Sequence, residues 1–225
     1  ETTISKLKKM SKQHSNAHVV FRDPVFSINV SKAKSLLKRI AENRLSLTFS
    51  LELHLKNIDN EFLHLAREAK VSLIKFGIES VSEEIRSSVN RYSVSNDSQK
   101  EQIDKIKKFG IKTHGMFILA QPSDDIETCN QTIKYACELN LDLAQFSIFT
   151  PYPGTPIYNK LKYKYGNKRY EDFNQFQLVY EHPKIKNVVA RNLLEKAYRK
   201  FFLSKLSNIL TLRSFIRRSQ TDSYN

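Results

Sequence analysis

Three acidic residues, Asp23, Glu52 and Glu79, each stand at or near the end of a short apolar stretch. A carboxylate there is costly unless something pairs with it, because charge is strongly disfavoured in an apolar environment. In parallel α/β folds the carboxyl ends of the strands meet at one edge of the sheet, and ligands bind at that edge. The three carboxylates are therefore a candidate ligand site.

Each carboxylate also has a structural interpretation. Asp23 precedes Pro24 and could begin a turn, Glu52 alternates with leucines and could point outward, and Glu79 could cap the next helix. Taken singly, these interpretations are favoured. Taken together, these structural interpretations are weaker, because three residues with independent structural roles need not converge at one edge of the sheet.

The two cysteines, Cys129 and Cys137, lie on one face of a predicted helix. They could form a metal or redox pair, but small residues on a buried helical stripe are the favoured interpretation. No CxxC motif and no His/Cys cluster occurs in the sequence. This chain alone therefore has no familiar ligand spacing for zinc or an iron–sulfur cluster.

The segments around these residues alternate between two patterns. Apolar stretches predict five strands, and between them helices of about 10–15 residues are predicted. Ser31 and Asp59 are candidate N-caps, and Gly110 is a stop signal. Alternation of this kind predicts βαβ units and a parallel sheet covered on both faces. The predicted strands are residues 16–24, 45–53, 71–79, 111–120 and 141–150.

Residues 157–192 are aromatic, polar and irregular, and a long helix is predicted over 193–215. The net charge is +14, but the lysines are spread over every helix, which disfavours nucleic acid as a partner. The basic stretch 193–218 could lie on a membrane surface, with core packing as the favoured alternative. No apolar run reaches the length of a membrane helix, and we expect a cytoplasmic protein.

The stretches "FRDPVFSIN", "SLIKFGIES", "GMFILAQPSDD" and "FTPYPGTPIY" occur in colinear order and resemble the radical S-adenosylmethionine (SAM) superfamily. The closest group is the branch whose members often carry a cobalamin-binding domain. The resemblance covers roughly residues 1–160. It implies a partial (βα)6 barrel of α/β class, here without its first strand, followed by a C-terminal extension over 161–225.

The resemblance further implies an enzyme, either an oxidoreductase or a methyltransferase. In this family a CxxxCxxC loop holds a [4Fe–4S] cluster, which binds and cleaves SAM to form a 5′-deoxyadenosyl radical. That motif is absent from this sequence. We therefore expect an inactive fragment of a larger enzyme, whose missing N-terminal domain could bind cobalamin and whose small-molecule substrate is unknown. A degenerate, cluster-free relative is the alternative explanation, and a basic RNA-binding or membrane-surface module is the alternative function.

The resemblance also implies which residues of this chain would contact SAM. Asp23 would face the methionine amine, Glu52 the SAM or substrate side, and Glu79 with Ser80 the ribose and methionyl part. Residues 116–119, with Phe117 and Leu119, would contact adenine, and Tyr152 would stack on it. Where this branch reads "FILGLPGET", the present sequence reads "FILAQPSDD". Ala120 in place of a glycine could loosen SAM binding if the backbone approaches the ligand there.

Overall fold

The computed structural model describes residues 2–88, 94–161, 165 and 168–221, and the side chains of these residues other than 57, 88 and 207–221. The chain divides into two compact units. The first unit comprises Glu1–Phe117 with Leu141–Gln145, and the second comprises Ile118–Asn140 with Phe146–Asn225. The predicted boundary near residue 160 stays a prediction.

The five predicted strands are confirmed, and they form one sheet in the order β1-β2-β3-β4-β5. β1 pairs with β2, β2 with β3 and β3 with β4, in each case in parallel. Sequential order in a parallel sheet requires a crossover after each strand, which is why helices alternate with strands in the sequence. The strands are β1 (Ala17–Val20), β2 (Leu47–Glu52), β3 (Val71–Glu79), β4 (Lys112–Leu119) and β5 (Leu143–Ile148).

Side chains cap several of the helices. Asp59 caps α3 as predicted, with its Oδ1 accepting from the Phe62 amide at 2.8 Å. The prediction for Ser31 is wrong, because α2 begins at Val30, two residues earlier than a Ser31 cap would require, and is capped by Asn29. The helices are α1 (Thr3–Gln13), α2 (Val30–Glu42), α3 (Asn60–Glu68), α4 (Glu83–Ser88), α5 (Asn96–Lys108), α6 (Ile126–Glu138), α7 (Pro156–Leu161) and α8 (Asn187–Thr221).

Four helices end in the same way. Two residues after the end of α2, α3, α5 and α6, the backbone enters the left-handed region, with φ of 45°, 60°, 73° and 46° at Arg44, Lys70, Gly110 and Asn140. A left-handed residue at this position ends a helix and turns the chain away from its axis. Gly110 is thus confirmed as a stop signal.

Strand β4 and the middle of β3 alternate between two environments. Ile74, Phe76 and Ile78 are fully buried, whereas Lys75 and Gly77 between them are half-buried. Successive side chains of a strand point to opposite faces, so one face of the sheet is apolar and the other is more polar and only half-buried. The prediction of a sheet buried on both faces is corrected accordingly for these strands.

In the second unit, helices α6 and α8 pack together. Lys196 on α8 donates to Asn130 on α6, and the Tyr198 hydroxyl donates to the Phe146 carbonyl at 3.0 Å. Phe201 packs edge-on against Phe146 and is 1% exposed. This burial supports core packing for the first part of the basic stretch.

Phe202 and Leu206 are more than half exposed on α8, unlike Phe201. The membrane-surface hypothesis also involves Ile209, Leu210, Arg213, Arg217 and Arg218, which are not among the residues whose side chains the structure describes. Within the part of the chain that the structure describes, no helix combines the length and the apolar character needed to cross a bilayer.

Candidate functional site

Glu79 ends β3 in an unusual backbone conformation. The register between β3 and β4 shifts between Gly77, opposite Met116, and Glu79, opposite Phe117, so Ile78 is an extra residue. Glu79 itself has φ of 68°, a left-handed value that is strained for a residue other than glycine. A bulge of this kind re-aims a side chain. Strained backbone also tends to cluster at functional sites.

The Glu79 side chain, in a residue only 8% exposed, lines a cavity of about 90 Å³ in the first unit. Glu52, at the end of the neighbouring strand β2, lines the same cavity and is half-buried. Two carboxylates thus meet on one cavity, beside apolar wall. The lining residues are Pro24, Val25, Glu52, Leu53, His54, Leu55, Gly77, Ile78, Glu79, Arg86, Val94, Gln99 and Met116.

Arg86 forms part of the cavity wall and was not predicted. It is 1% exposed, and its guanidinium donates to the carbonyl oxygens of Ser80 at 2.6 Å and Val94 at 3.1 Å. It also donates to the side chain of Asn96 at 2.9 Å. A buried cation is tolerated when several acceptors surround it. These bonds fasten the segment that leaves Glu79 to the start of α5.

Asp23 lies apart from the other two carboxylates. It is exposed and borders a different cavity, lined by Phe21, Phe26 and Lys32 among others. The chain after Asp23 nevertheless returns to β2, because the Phe26 amide donates to the Glu52 carbonyl at 2.7 Å. Glu52 and Glu79 thus line the same cavity, whereas Asp23 borders a separate one.

The other predicted site residues are dispersed. Ser80 is fully buried, and its hydroxyl accepts from the Ser82 amide at 3.2 Å. Phe117 is 1% exposed and is not part of the cavity wall, whereas Met116 beside it is. Leu119 and Tyr152 belong to the second unit, where Leu119 is buried and Tyr152 is 40% exposed. Their roles toward SAM stay predictions.

The second unit has its own strained strand end. Ala120, directly after β4, has φ of 57°, and its amide donates to the sulfur of Cys129 at 3.4 Å. Its carbonyl accepts from the Tyr180 hydroxyl at 3.2 Å. The Gln121 amide donates to the buried Asp124 carboxylate at 2.8 Å. A left-handed φ explains why glycine is the natural residue at position 120, since glycine adopts it without a steric penalty.

Cys129 belongs to the core of the second unit, as the favoured interpretation predicted. It is fully buried, and burial, followed by the charge of Asp124, raises the pKa of its thiol to about 12. Burial also raises the pKa of Cys137. Metal ions bind the deprotonated thiolate form of cysteine. A raised pKa disfavours that form, so both shifts oppose metal binding. Ile126, the first residue of the same helix, is by contrast 45% exposed.

A [4Fe–4S] cluster held by three thiolates does not fit this chain. Its only two cysteines lie on one helix, eight residues apart, with the pKa of each raised. Among the residues that the structure describes, no group of three His, Cys, Asp or Glu side chains is arranged to hold a metal ion.

No family model matches the chain. Individual relatives do match. An uncharacterized methyltransferase of Pyrococcus horikoshii is 27% identical over 208 residues, covering 90% of this chain and 44% of the relative. An anaerobic magnesium-protoporphyrin IX monomethyl ester cyclase of Rubrivivax gelatinosus is 24% identical over 208 residues, 90% of this chain and 37% of the cyclase. The chain thus spans less than half the length of these curated relatives.

Solved structures share the fold. The radical SAM methyltransferase TsrM of Kitasatospora setae, solved with cobalamin and a [4Fe–4S] cluster, superposes with a TM-score of 0.63 at 18% identity, over 70% of this chain and 32% of TsrM. Coproporphyrinogen III oxidase (HemN) of Escherichia coli, a radical SAM enzyme, gives 0.61 at 15% identity, over 89% of this chain and 44% of HemN.

The fold is therefore the α/β partial barrel of radical SAM enzymes, as predicted. In sequence, the chain is similar to proteins named as a methyltransferase and a cyclase.

Proposed function

We propose that this chain is the SAM-binding part of a radical SAM enzyme and that Glu79 is a central SAM ligand. The observation that carries the proposal is the backbone at Glu79. A bulge and a left-handed φ hold a nearly buried carboxylate on a cavity, next to the second carboxylate of Glu52. A helix cap needs neither feature, because caps form from ordinary extended backbone.

The residues around the cavity suit SAM chemically. Carboxylates accept strong hydrogen bonds from ammonium and hydroxyl groups, and SAM carries both in its methionyl and ribose parts. Leu53, Ile78 and Met116 supply apolar wall beside Glu52 and Glu79. Arg86 holds the segment after Glu79 in place, so that the carboxylate is set before the ligand arrives.

The radical chemistry of the superfamily depends on a [4Fe–4S] cluster, and this chain does not provide its ligands. The complete enzyme would therefore need cluster ligands from outside these 225 residues. By analogy with its relatives, one named as a methyltransferase and one as a cyclase, we propose methyl transfer or ring closure as the reaction class of the complete enzyme. The 225 residues alone should bind SAM weakly and not cleave it.

Substitution of Glu79 tests the proposal. Glu79→Gln keeps the shape and the strained backbone but replaces charge-assisted hydrogen bonds with neutral ones. A charged bond contributes about 1.5–3 kcal/mol and a neutral one about 0.5–1.5 kcal/mol. The Kd for SAM, measured by equilibrium dialysis on the 225-residue chain, should therefore rise about 5- to 30-fold.

Glu84→Gln is the matched control. Glu84 is an exposed residue in the first turn of α4, five positions away, and does not line the cavity. Its substitution removes the same charge and should leave the Kd unchanged. Equal Kd values for wild type and Glu79→Gln would reduce Glu79 to a structural residue and overturn the proposal.

A further inference from the structure

Three titratable side chains form a row across neighbouring strands of the first unit. In the parallel registers, Glu52 of β2 pairs with Lys75 of β3, and Lys75 pairs with His114 of β4. Side chains paired in this way point to the same face of a sheet and lie about 5 Å apart at their origins. All three are half-buried, on the face opposite the apolar residues Ile74 and Phe76. We call Glu52, Lys75 and His114 the polar row.

The same face stays polar toward the edge of the sheet. His18 of β1 contacts the Thr48 hydroxyl through Nδ1 at 2.8 Å and the Ser50 hydroxyl through Nε2 at 2.6 Å. Strands of parallel sheets are usually apolar on both faces, because helices cover them. A face with histidine, hydroxyls, lysine and glutamate on adjacent strands departs from that rule. Such a face is suited to a polar ligand.

Lys75 is the member of the row that points to an anion. Within the described part of the chain, its ammonium has neither a hydrogen bond nor an ion pair, although Glu52 is its register neighbour. Burial, followed by the charge of Lys75, lowers the pKa of His114, so His114 is neutral at neutral pH. A half-buried ammonium beside a neutral imidazole can take an anionic partner with an additional hydrogen bond from the ring.

The charge of the row indicates which anion. Glu52 contributes −1, Lys75 +1 and His114 nothing, so the row is neutral overall. A monoanion can pair with Lys75 while remaining apart from Glu52, whereas a dianionic phosphate would lack a second cation and would be repelled by Glu52. We propose that Lys75 and His114 bind the carboxylate of a small organic substrate.

The position of the row connects it to the SAM cavity. Gly77 and Met116, which line that cavity, lie two residues beyond Lys75 and His114 on the same strands and the same face. The assignment of the ligand as the substrate therefore rests on the proposed function. Carboxylate binding itself can be measured separately from SAM binding.

The test uses 3-phenylpropionate as the probe, with the 225-residue chain and the ring signals of His114 in 1H–13C spectra, assigned with His114→Asn. Saturable shifts with a Kd near the millimolar range are expected for a ligand of this size. Lys75→Met should weaken the binding at least 10-fold, and Lys75→Arg should largely retain it. Lys8→Met, an exposed lysine on α1, removes the same charge and should have no effect.

Two further probes define the ligand class. The uncharged 3-phenylpropionamide should leave the His114 signals unchanged, and phenylphosphonate should bind more weakly than the carboxylate. Tighter binding of the phosphonate, or equal binding by Lys75→Met and wild type, would overturn the inference. SAM affinity of the wild-type chain is measured in parallel. Absent carboxylate binding with intact SAM binding contradicts the inference alone, whereas absent SAM binding contradicts the proposed function.

Discussion

Ala120→Gly gives a quantitative test of the strained backbone at the strand ends. Ala120 is fully buried and left-handed, with φ of 57°. Ala136 is the matched control, because it is equally buried but lies inside helix α6 in the same unit. Each substitution removes one buried methyl group and adds one glycine, so the difference between them isolates the backbone conformation.

The expected free energies follow from three contributions. Loss of a buried methyl costs about 0.8 kcal/mol, and glycine inside a helix costs about a further 1 kcal/mol, so Ala136→Gly should destabilise by about 2 kcal/mol. At Ala120 the methyl loss and a glycine entropy cost of about 0.5–1 kcal/mol are offset by relief of about 1–2 kcal/mol of left-handed strain. Ala120→Gly should therefore be nearly neutral.

Urea unfolding of the two variants and the wild type measures these values, and thermal midpoints should differ by about 4–8 °C between the variants. The two variants should have the same m value, so that the midpoints compare directly. If Ala120→Gly is as destabilising as Ala136→Gly, no strain is released and the argument about left-handed strand ends, including the one about Glu79, is refuted.

Three other predictions concern the core, the thiols and the acid limb of stability. Gly115→Ala should destabilise by about 1–3 kcal/mol in urea, because its Cβ would stand 2.6 Å from Leu141 Cδ1, and the same change should cost less when it is made in a Leu141→Ala background; full stability of Gly115→Ala alone would contradict the packing. Iodoacetamide at pH 8 should modify Cys137 and spare Cys129, whose pKa is raised to about 12, as mass spectrometry can show; modification of both at equal rates would contradict its burial. The hydrogen bond from Lys34 lowers the pKa of Asp59, so this pair stabilises the fold above pH 3.8 and its contribution is lost as pH falls through the lower folded pKa. Asp59→Asn retains a helix cap, and it should make the free energy of unfolding fall less steeply as the pH is lowered. An unchanged dependence of stability on acidic pH would count against the pair.

The elements were predictable from the sequence because hydrophobic periodicity determined them. All five strands fall within the predicted stretches, and β3 agrees with the prediction at both ends. The convergence of Glu52 and Glu79 followed from topology alone, since neighbouring parallel strands end at the same edge. Asp23 separated from them because β1 lies at the edge of the sheet and its following loop turns Asp23 toward solvent.

Other features gave weak or misleading signals. An arginine in a short helix is typical of an exposed face, so nothing in the sequence distinguished the buried Arg86. The polar row was hidden because β3 was interpreted as one apolar run, although Lys75 already interrupted it. The bulge at Glu79 depends on pairing with β4, which lies more than 30 residues away and which local periodicity does not report.

The two methionines offer the most direct test of the central claim. The chain contains only Met10, exposed on α1, and Met116, on the cavity with Glu52 and Glu79. With 13C-labelled methionine methyl groups, SAM should shift the Met116 signal in a saturable way and leave the Met10 signal in place. If saturating SAM moves neither signal, or moves both equally, SAM does not bind at this cavity and the account is contradicted.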